Sequence, residues 1–289
     1  MPELPEVETM VRGLRPVMAG KTLASIQVLD PHMLVECTAS ELESRVTAAH
    51  VESVHRRGKW VVFTFDDPAG LIVIEPRMTG GFWLIPPERP DHVRLMFTVR
   101  GRRDPVWFCD TRRLGKIHWF RDSGEAQAAF QRSHGPDALE IGLEELSGRL
   151  GKTGRAIKPA LMDQKLLAGI GNIYADEILF RARIHPSRVA SGLTKSELER
   201  LQPAIGQVLE EAIKAEGSSF DAGYRTVLGL EGGFLAQNAM YGRGNQPCPC
   251  CGGPIQKTRI PGLIGRPTHF CPHCQPLRVN KKAATKRKA

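Results

Sequence analysis

The chain is poor in aromatic residues, 6% of its 289 positions, and no run in it approaches the ~20 consecutive apolar residues that a helical bilayer crossing needs. An integral helical membrane protein is therefore not expected. Nor is a disordered chain, because 41% hydrophobic content is ample for packed cores and the length suits about two domains. An export signal is missing too: MPELPEVET holds three Glu and two Pro before any basic residue, so an intracellular location is expected. The most informative absence is that of carboxylates. Between Arg243 and Ala289 there is no Asp or Glu against ten Lys/Arg, so the net charge of +9 sits at the C-terminal end, and residues 1 to 242 carry 30 basic against 31 acidic groups. That distribution suits a phosphate-rich partner. The last nine residues, Lys281 to Ala289, read equally as a solubilising tail or as a phosphate-contacting or targeting arm.

What the C-terminal end does have is cysteine. Cys37 and Cys109 stand alone, whereas Cys248, Cys250, Cys251, Cys271 and Cys274 crowd into 27 positions. Cys248-x2-Cys251, followed after nineteen residues by Cys271-x2-Cys274, is the spacing of two thiolate knuckles closing on one Zn2+. Four thiolates leave no open coordination position, so the zinc is expected to be structural, with a β-hairpin between the knuckles. Cys250 lacks a two-residue spacer and reads as a bystander; His269 and His273 remain alternative ligands. The intervening loop carries Lys257, Arg259 and Arg266, a set suited to gripping phosphates.

Upstream, Leu4, Val7, Val11, Leu14 and Met18 make one helical stripe, with Pro5 in its first turn. Short runs follow at 22–28, 60–65, 71–75, 93–99, 106–109 and 116–120, bounded mostly by Gly, Pro or Asp, and predict a β-sandwich or flattened barrel interrupted by a helix over 40–49. Helical periods take over after Ser133, at 143–150, 157–166, 173–182 and 194–216, the last opened by a Thr194/Glu197 capping box. The 121–136 stretch reads as a hinge.

Two local patterns carry chemistry. In LLAGIGNIYADEILF, Gly169 and Gly171 lead into Asn172 at a helix start, where free N–H groups suit an anion; a glycine corner used only for packing has the same signature. At the other end, loss of Met1 leaves Pro2 with a secondary amine, a nucleophile able to form an iminium with a sugar carbon, and Glu3 and Glu6 follow on the same segment. Pro and Glu also favour an ordinary helix start.

Together with RRGK at 56–59, RMTG at 77–80, DHVRL at 91–95 and DTRRLG at 110–115, these motifs resemble the formamidopyrimidine-DNA glycosylases of the Fpg/Nei family, from residue 1 to about 275. The resemblance implies an α+β multidomain fold: an N-terminal helix and β-sandwich over 1–133, a helix-two-turn-helix domain with a lesion-capping loop over 134–242, a four-cysteine zinc-finger hairpin over 243–275 and a basic tail over 276–289. It implies a monomer acting on double-stranded DNA with oxidised or abasic sites, bound across the cleft between the halves, in the cytoplasm and nucleoid of a bacterium or the nucleus of a eukaryote.

By the same resemblance Pro2 is the nucleophile, Glu3 its acid/base partner and Lys59 an aid at the sugar or adjacent phosphate. Lys158, Asn172 and Arg266 hold backbone phosphates, His92 lies near the DNA, and Met78, Arg112 and Leu114 fill the space vacated in the duplex. Glu6 with Ser218, Ser219, Tyr224, Arg225 and Thr226 surrounds the extruded base. The implied reaction removes oxidised purines (8-oxoguanine, formamidopyrimidines) and then cuts the abasic strand by β,δ-elimination. Three departures stand out: Leu114 replaces the usual Phe, the finger is about three residues longer than usual, and Cys250 adjoins a ligand. Leu114 keeps open an Nei-like preference for oxidised pyrimidines, which the MPELPE start opposes. A damage-binding protein without catalysis is the third reading.

Overall fold

The computed structural model describes residues 1–219 and 223–277. Phe220 to Ala222 of the expected capping loop and the Lys281–Ala289 arm lie outside the described residues.

The chain forms two compact units, Met1–Ser133 with Glu211–Ala236, and His134–Glu210 with Gln237 onward. Residues 211–236 thus group with the first unit, whereas the sequence reading placed them with the helical domain.

The first unit opens with α1 (Leu4–Met18), whose Leu4, Val7, Val11, Leu14 and Met18 are wholly buried. Next come β1 (Lys21–Val28), β2 (Leu34–Val35), α2 (Ala39–Val46), β3 (His50–Arg57), β4 (Trp60–Phe65), β5 (Leu71–Glu75), β6 (Gly80–Trp83), β7 (Val93–Val99), β8 (Val106–Asp110), β9 (Lys116–Phe120) and α3 (Ser123–Ser133). The strands run in the order β2-β9-β5-β4-β3-β1-β7-β8-β6. β1 is shared: Lys21 and Thr22 pair with β3, while Leu23 to Val28 pair with β7 after a register shift between Leu23 and Ser25. A strand that changes partners at a bulge turns a sheet corner. The two halves meet face to face, with Phe63 of β4 5.1 Å from Phe97 of β7 between ring centroids and 5.7 Å from Phe82 of β6.

Besides the two-residue β2, three elements depart from the sequence reading. β3 was not expected, because its charged residues and a register shift between Val51 and Ser53 break the alternation. β6 is four residues long and half glycine, so its Phe82 and Trp83 make too short a run to read as a strand. The expected hinge at 121–136 contains α3, started by Asp122, whose Oδ1 accepts the Glu125 N–H at 2.9 Å, and anchored by Phe130 edge-on to Trp60.

The second unit holds α4 (Leu143–Gly151), α5 (Ile157–Leu161), α6 (Asn172–Arg181) and α7 (Lys195–Lys214) as far as Glu210, then a hairpin of β10 (Gln256–Thr258) and β11 (Thr268–Phe270). The helix predicted over 157–166 stops at Leu161, where the chain turns through Asp163 into the glycine segment. The Thr194/Glu197 capping box is present, with Glu197 Oε2 2.7 Å from the Thr194 N–H and Thr194 Oγ1 3.2 Å from the Glu197 N–H.

Candidate catalytic and nucleic-acid-binding site

Pro2 and Glu3 are buried at the head of α1. The Glu6 carboxylate is 1% exposed, and one oxygen accepts the Glu3 N–H at 2.7 Å while the other accepts the Ser218 N–H at 2.8 Å. A single buried side chain therefore joins the N-terminal segment to the 217–219 segment. Gly217, at φ +84, passes so near that a Cβ would lie 2.8 Å from Glu6 Oε1. Lys59 sits in the two-residue turn between β3 and β4, where Gly58 has φ +56 and Arg57 pairs with Trp60. Arg56 donates to Glu8 of α1 at 3.1 Å and to the Gly58 carbonyl at 3.1 Å, which ties this turn to α1.

Two further loops hold large apolar side chains in solvent. Met78 and Leu114 are 37% and 39% exposed, and Arg112 is exposed beside them in sequence. Asp110, wholly buried, joins the loops: its carboxylate accepts the Thr79 hydroxyl and the N–H groups of Gly115 at 2.7 Å and Arg112 at 3.2 Å. The Arg112 N–H also reaches Thr79 Oγ1 at 3.1 Å. Arg113, at φ +56, turns away to clamp Asp30 with two bonds of 2.5 and 2.9 Å. The bonded guanidinium holds the Asp30 carboxyl below its ordinary value of 3.8 against the opposing effect of burial. His92 Nδ1 lies 3.2 Å from Thr111 Oγ1, next to Arg112. The sequence reading missed Asp110, Thr79 and the Asp30–Arg113 clamp; an Asp two residues before a loop N–H was a usable signal for the first.

Ser219 Oγ bridges the Tyr224 carbonyl at 2.7 Å and the Gly232 N–H at 2.8 Å, and Arg225 pairs with Glu231 at 2.9 Å. Tyr224, however, is a core residue: with Val227 it packs into the apolar cluster of the first unit, and burial, then the nearby Glu6 charge, pushes its phenol pKa up. Thr226 is buried and closes the 226–230 turn through its hydroxyl, 3.1 Å from the Leu230 N–H.

In the second unit, Gly169 has φ +115, and Gln164 braces the glycine segment, donating to the Met162 and Ile170 carbonyls at 2.8 and 2.9 Å and accepting the Gly169 N–H at 2.9 Å. Asn172 then opens α6. Arg266 is exposed at the finger tip. Lys158 departs from expectation: it is wholly buried, its Nζ 2.8 Å from Asp176 and donating to the Pro267 carbonyl at 3.0 Å and Thr268 Oγ1 at 3.1 Å. An ammonium so enclosed braces the hairpin. Glu177, also missed, accepts the N–H groups of Ala239, Met240 and Tyr241 at 2.8, 2.9 and 2.7 Å.

The sulfurs of Cys248, Cys251, Cys271 and Cys274 all lie within 4.8 Å of one another, with Cys251 and Cys271 3.4 Å apart and Cys248 and Cys274 3.9 Å apart. A Zn–S bond of about 2.3 Å implies tetrahedral edges of about 3.8 Å, so the set fits one structural Zn2+. The Cys274 N–H points at Cys271 Sγ, 3.4 Å away, as a thiolate ligand would require. Exposed Cys250 stands outside the set, and His269 is engaged by Asp176 at 3.2 Å.

Comparison with known proteins matches residues 1–117 to the formamidopyrimidine-DNA glycosylase N-terminal domain, 134–222 to the formamidopyrimidine-DNA glycosylase H2TH domain and 245–277 to the zinc finger found in FPG and IleRS. The formamidopyrimidine-DNA glycosylase of Desulfitobacterium hafniense is 41% identical over 281 residues, covering 95% of this chain and all of that protein. The crystal structure of MutM (Fpg) from Thermus thermophilus superposes with a TM-score of 0.83 at 37% identity, covering 96% of this chain and 100% of the other. Lactococcus lactis Fpg in complex with DNA containing an abasic site does so with a TM-score of 0.84 at 32% identity, over 95% and 99% of the two chains.

Proposed function

The chain belongs to the formamidopyrimidine-DNA glycosylase family, and on that premise we propose that it excises oxidised purines from duplex DNA through its N-terminal proline and then cuts the abasic strand. The observation that carries this reading is the buried Glu6 carboxylate, which holds the segment bearing Pro2 and Glu3 to the segment bearing Ser218.

A base stacked in a duplex offers no path to its glycosidic carbon, so the nucleotide must swing out and the gap must be filled. Met78, Leu114 and Arg112 do the filling, from loops that Asp110 keeps together. Asn172 and Arg266 hold backbone phosphates, and His92 supports the Arg112 loop through Thr111. Glu6, Ser218, Ser219 and Arg225 border the extruded base. A structural zinc on the four cysteines keeps the finger folded and takes no part in the reaction.

The nucleophile exists only once Met1 is removed, because a peptide-linked proline nitrogen has no electron pair to give. The free Pro2 amine attacks C1′; the C1′–N bond breaks, its electrons leave with the purine, and the purine takes up a proton as the Pro2 nitrogen gives up its own. Opening of the sugar ring, with Glu3 passing a proton to the ring oxygen, gives an iminium. That cation acidifies the C2′ proton, whose removal expels the 3′ phosphate. Loss of the C4′ proton then expels the 5′ phosphate. Lys59, in the turn between β3 and β4, steadies the sugar or its phosphate.

Leu114 favours a second reading in one respect, since an aliphatic wedge stacks less on an orphaned base than Phe does and weakens the preference for a particular opposite base. Single-turnover excision from duplexes carrying 8-oxoguanine, formamidopyrimidine or thymine glycol separates the two. Faster release of the purines supports the first; faster release of thymine glycol assigns the chain to oxidised pyrimidines; tight binding without release or scission leaves a damage-binding protein.

A further inference from the structure

The first unit carries a cluster of cations away from the loops described above. Residues 1 to 242 are close to neutral, with 30 basic against 31 acidic groups, yet Lys21, Arg100, Arg102 and Arg103 line a single cleft of about 500 Å3 together with Val17 and Val99. The turn between β7 and β8 shapes it. The Arg102 N–H bonds the Val99 carbonyl at 3.1 Å around Arg100 and Gly101, and the φ of +77 at Gly101 is one that glycine adopts without strain. The Arg100 N–H bonds the Thr22 carbonyl at 2.9 Å, which sets the turn beside Lys21 at the start of β1.

The fold supplies no anion to these groups. Lys21, Arg100 and Arg103 are exposed, and none of the four cations enters an ion pair among the described residues; Asp104, the carboxylate on the rim, is exposed and pairs with none of them. Arg102 donates through Nη2 to the Leu84 carbonyl at 2.8 Å, whereas its Nε is buried without an acceptor. Buried donors are nearly always matched, so the position beside this guanidinium calls for an acceptor from outside. Val99, 2% exposed, and half-buried Val17 add an apolar wall. The cleft is remote from the proposed chemistry: Val17 and Lys21 lie at the far end of α1 from Pro2, a helix of 15 residues and so about 22 Å long, and the turn precedes β8 at the end opposite Asp110.

We propose that this cleft docks an acidic segment of a partner protein, whose carboxylates meet Arg100, Arg102 and Arg103 while an aliphatic side chain lies against Val17 and Val99. Guanidinium groups bind carboxylates through paired, charge-assisted hydrogen bonds. The apolar wall favours a peptide over a phosphate chain, which has no aliphatic side chain to place there. Because the cleft is at the other end of α1 from Pro2, the partner and a lesion duplex can be held together. Docking here does not depend on the excision chemistry.

The test titrates the full-length zinc-loaded protein, as parent, Arg100→Gln/Arg103→Gln and Arg102→Lys, into a fluorescein-labelled peptide of four Asp followed by two Leu, read by anisotropy over a range of salt. Thermal unfolding establishes that each variant is folded, and excision from an 8-oxoguanine duplex is expected to proceed at the parent's rate in both. Arg100→Gln/Arg103→Gln is expected to weaken peptide binding roughly tenfold. Arg102→Lys, which keeps the charge but loses the planar fork, is expected to weaken it several-fold with the salt dependence retained. A peptide with Ser in place of both Leu should bind roughly tenfold less tightly. Parent-like affinity in Arg100→Gln/Arg103→Gln overturns the proposal, since the peptide then sits on other cations such as those of the C-terminal end. Equal binding of the Ser peptide overturns it too, as does displacement by undamaged duplex DNA, which would assign the cleft to phosphates. Peptide binding by a parent that excises no base supports the docking site and removes the repair reading, so the two fail separately.

Discussion

The Lys158 ammonium lies 2.8 Å from the Asp176 carboxylate, and both side chains are wholly buried. The pair joins three elements, because Lys158 stands on α5, Asp176 on α6, and both bond to the Pro267–His269 stretch that leads into and forms β11. The exposed tip cations therefore project from a fixed base.

Removing one member of such a pair strands the other charge in the interior. Lys158→Met is expected to cost about 3–5 kcal/mol in denaturant unfolding of the second unit. The salt slope of DNA binding, measured where the variant is still folded, is expected to equal the parent's. A slope lower by about 0.9 would instead mark Lys158 as a phosphate contact.

Asp110→Asn tests the link between the two wedge loops. The amide keeps the size but has one acceptor oxygen, and it places an N–H group against the donors of Gly115 or of Thr79 and Arg112. A loss of about 1–3 kcal/mol in stability is expected. Fluorescence of 2-aminopurine beside the lesion should show slower wedge insertion, with the Pro2 chemistry on an already abasic strand less affected.

Acid should weaken the Asp30–Arg113 clamp. The folded-state pKa of Asp30 is depressed, so its contribution is present above the ordinary value of 3.8 and fades as pH falls from there through the folded value. With Arg113 half exposed, solvent screens the clamp and its contribution is modest. Asp30→Asn should therefore be less stable than the parent at neutral pH, and the two should converge only as pH falls below the depressed folded value.

Chelation of zinc, or Cys271→Ser, should unfold the finger and abolish duplex binding while circular dichroism retains the β signal of the first unit. Metal analysis of the intact protein is expected to return one zinc per chain. Retained duplex affinity after complete chelation would contradict a structural metal.

Features written over a few residues were legible in the sequence: the stripe of α1, the Thr194/Glu197 cap and each Cys-x2-Cys knuckle depend on neighbours three or four positions away. Features set by distant partners were not. Lys158 reads as a surface cation until Thr268, 110 residues away, closes over it. Tyr224 reads as a pocket wall until Val227 and the first-unit cluster enclose it. β3 is hidden by its bulge, and α3 by having Phe130 as its one buried residue. In the proposed wedge, Met78, Arg112 and Leu114 were visible as motif residues, but Asp110, which joins their loops, bonds Thr79 from 31 positions away.

The most direct test of the chemistry is peptide mass spectrometry of the adduct that borohydride traps between the protein and an 8-oxoguanine duplex. The expected result is a reduced sugar remnant on a peptide that begins at Pro2. A remnant on Lys59 or another lysine, or an adduct whose first residue is still Met1, would contradict it.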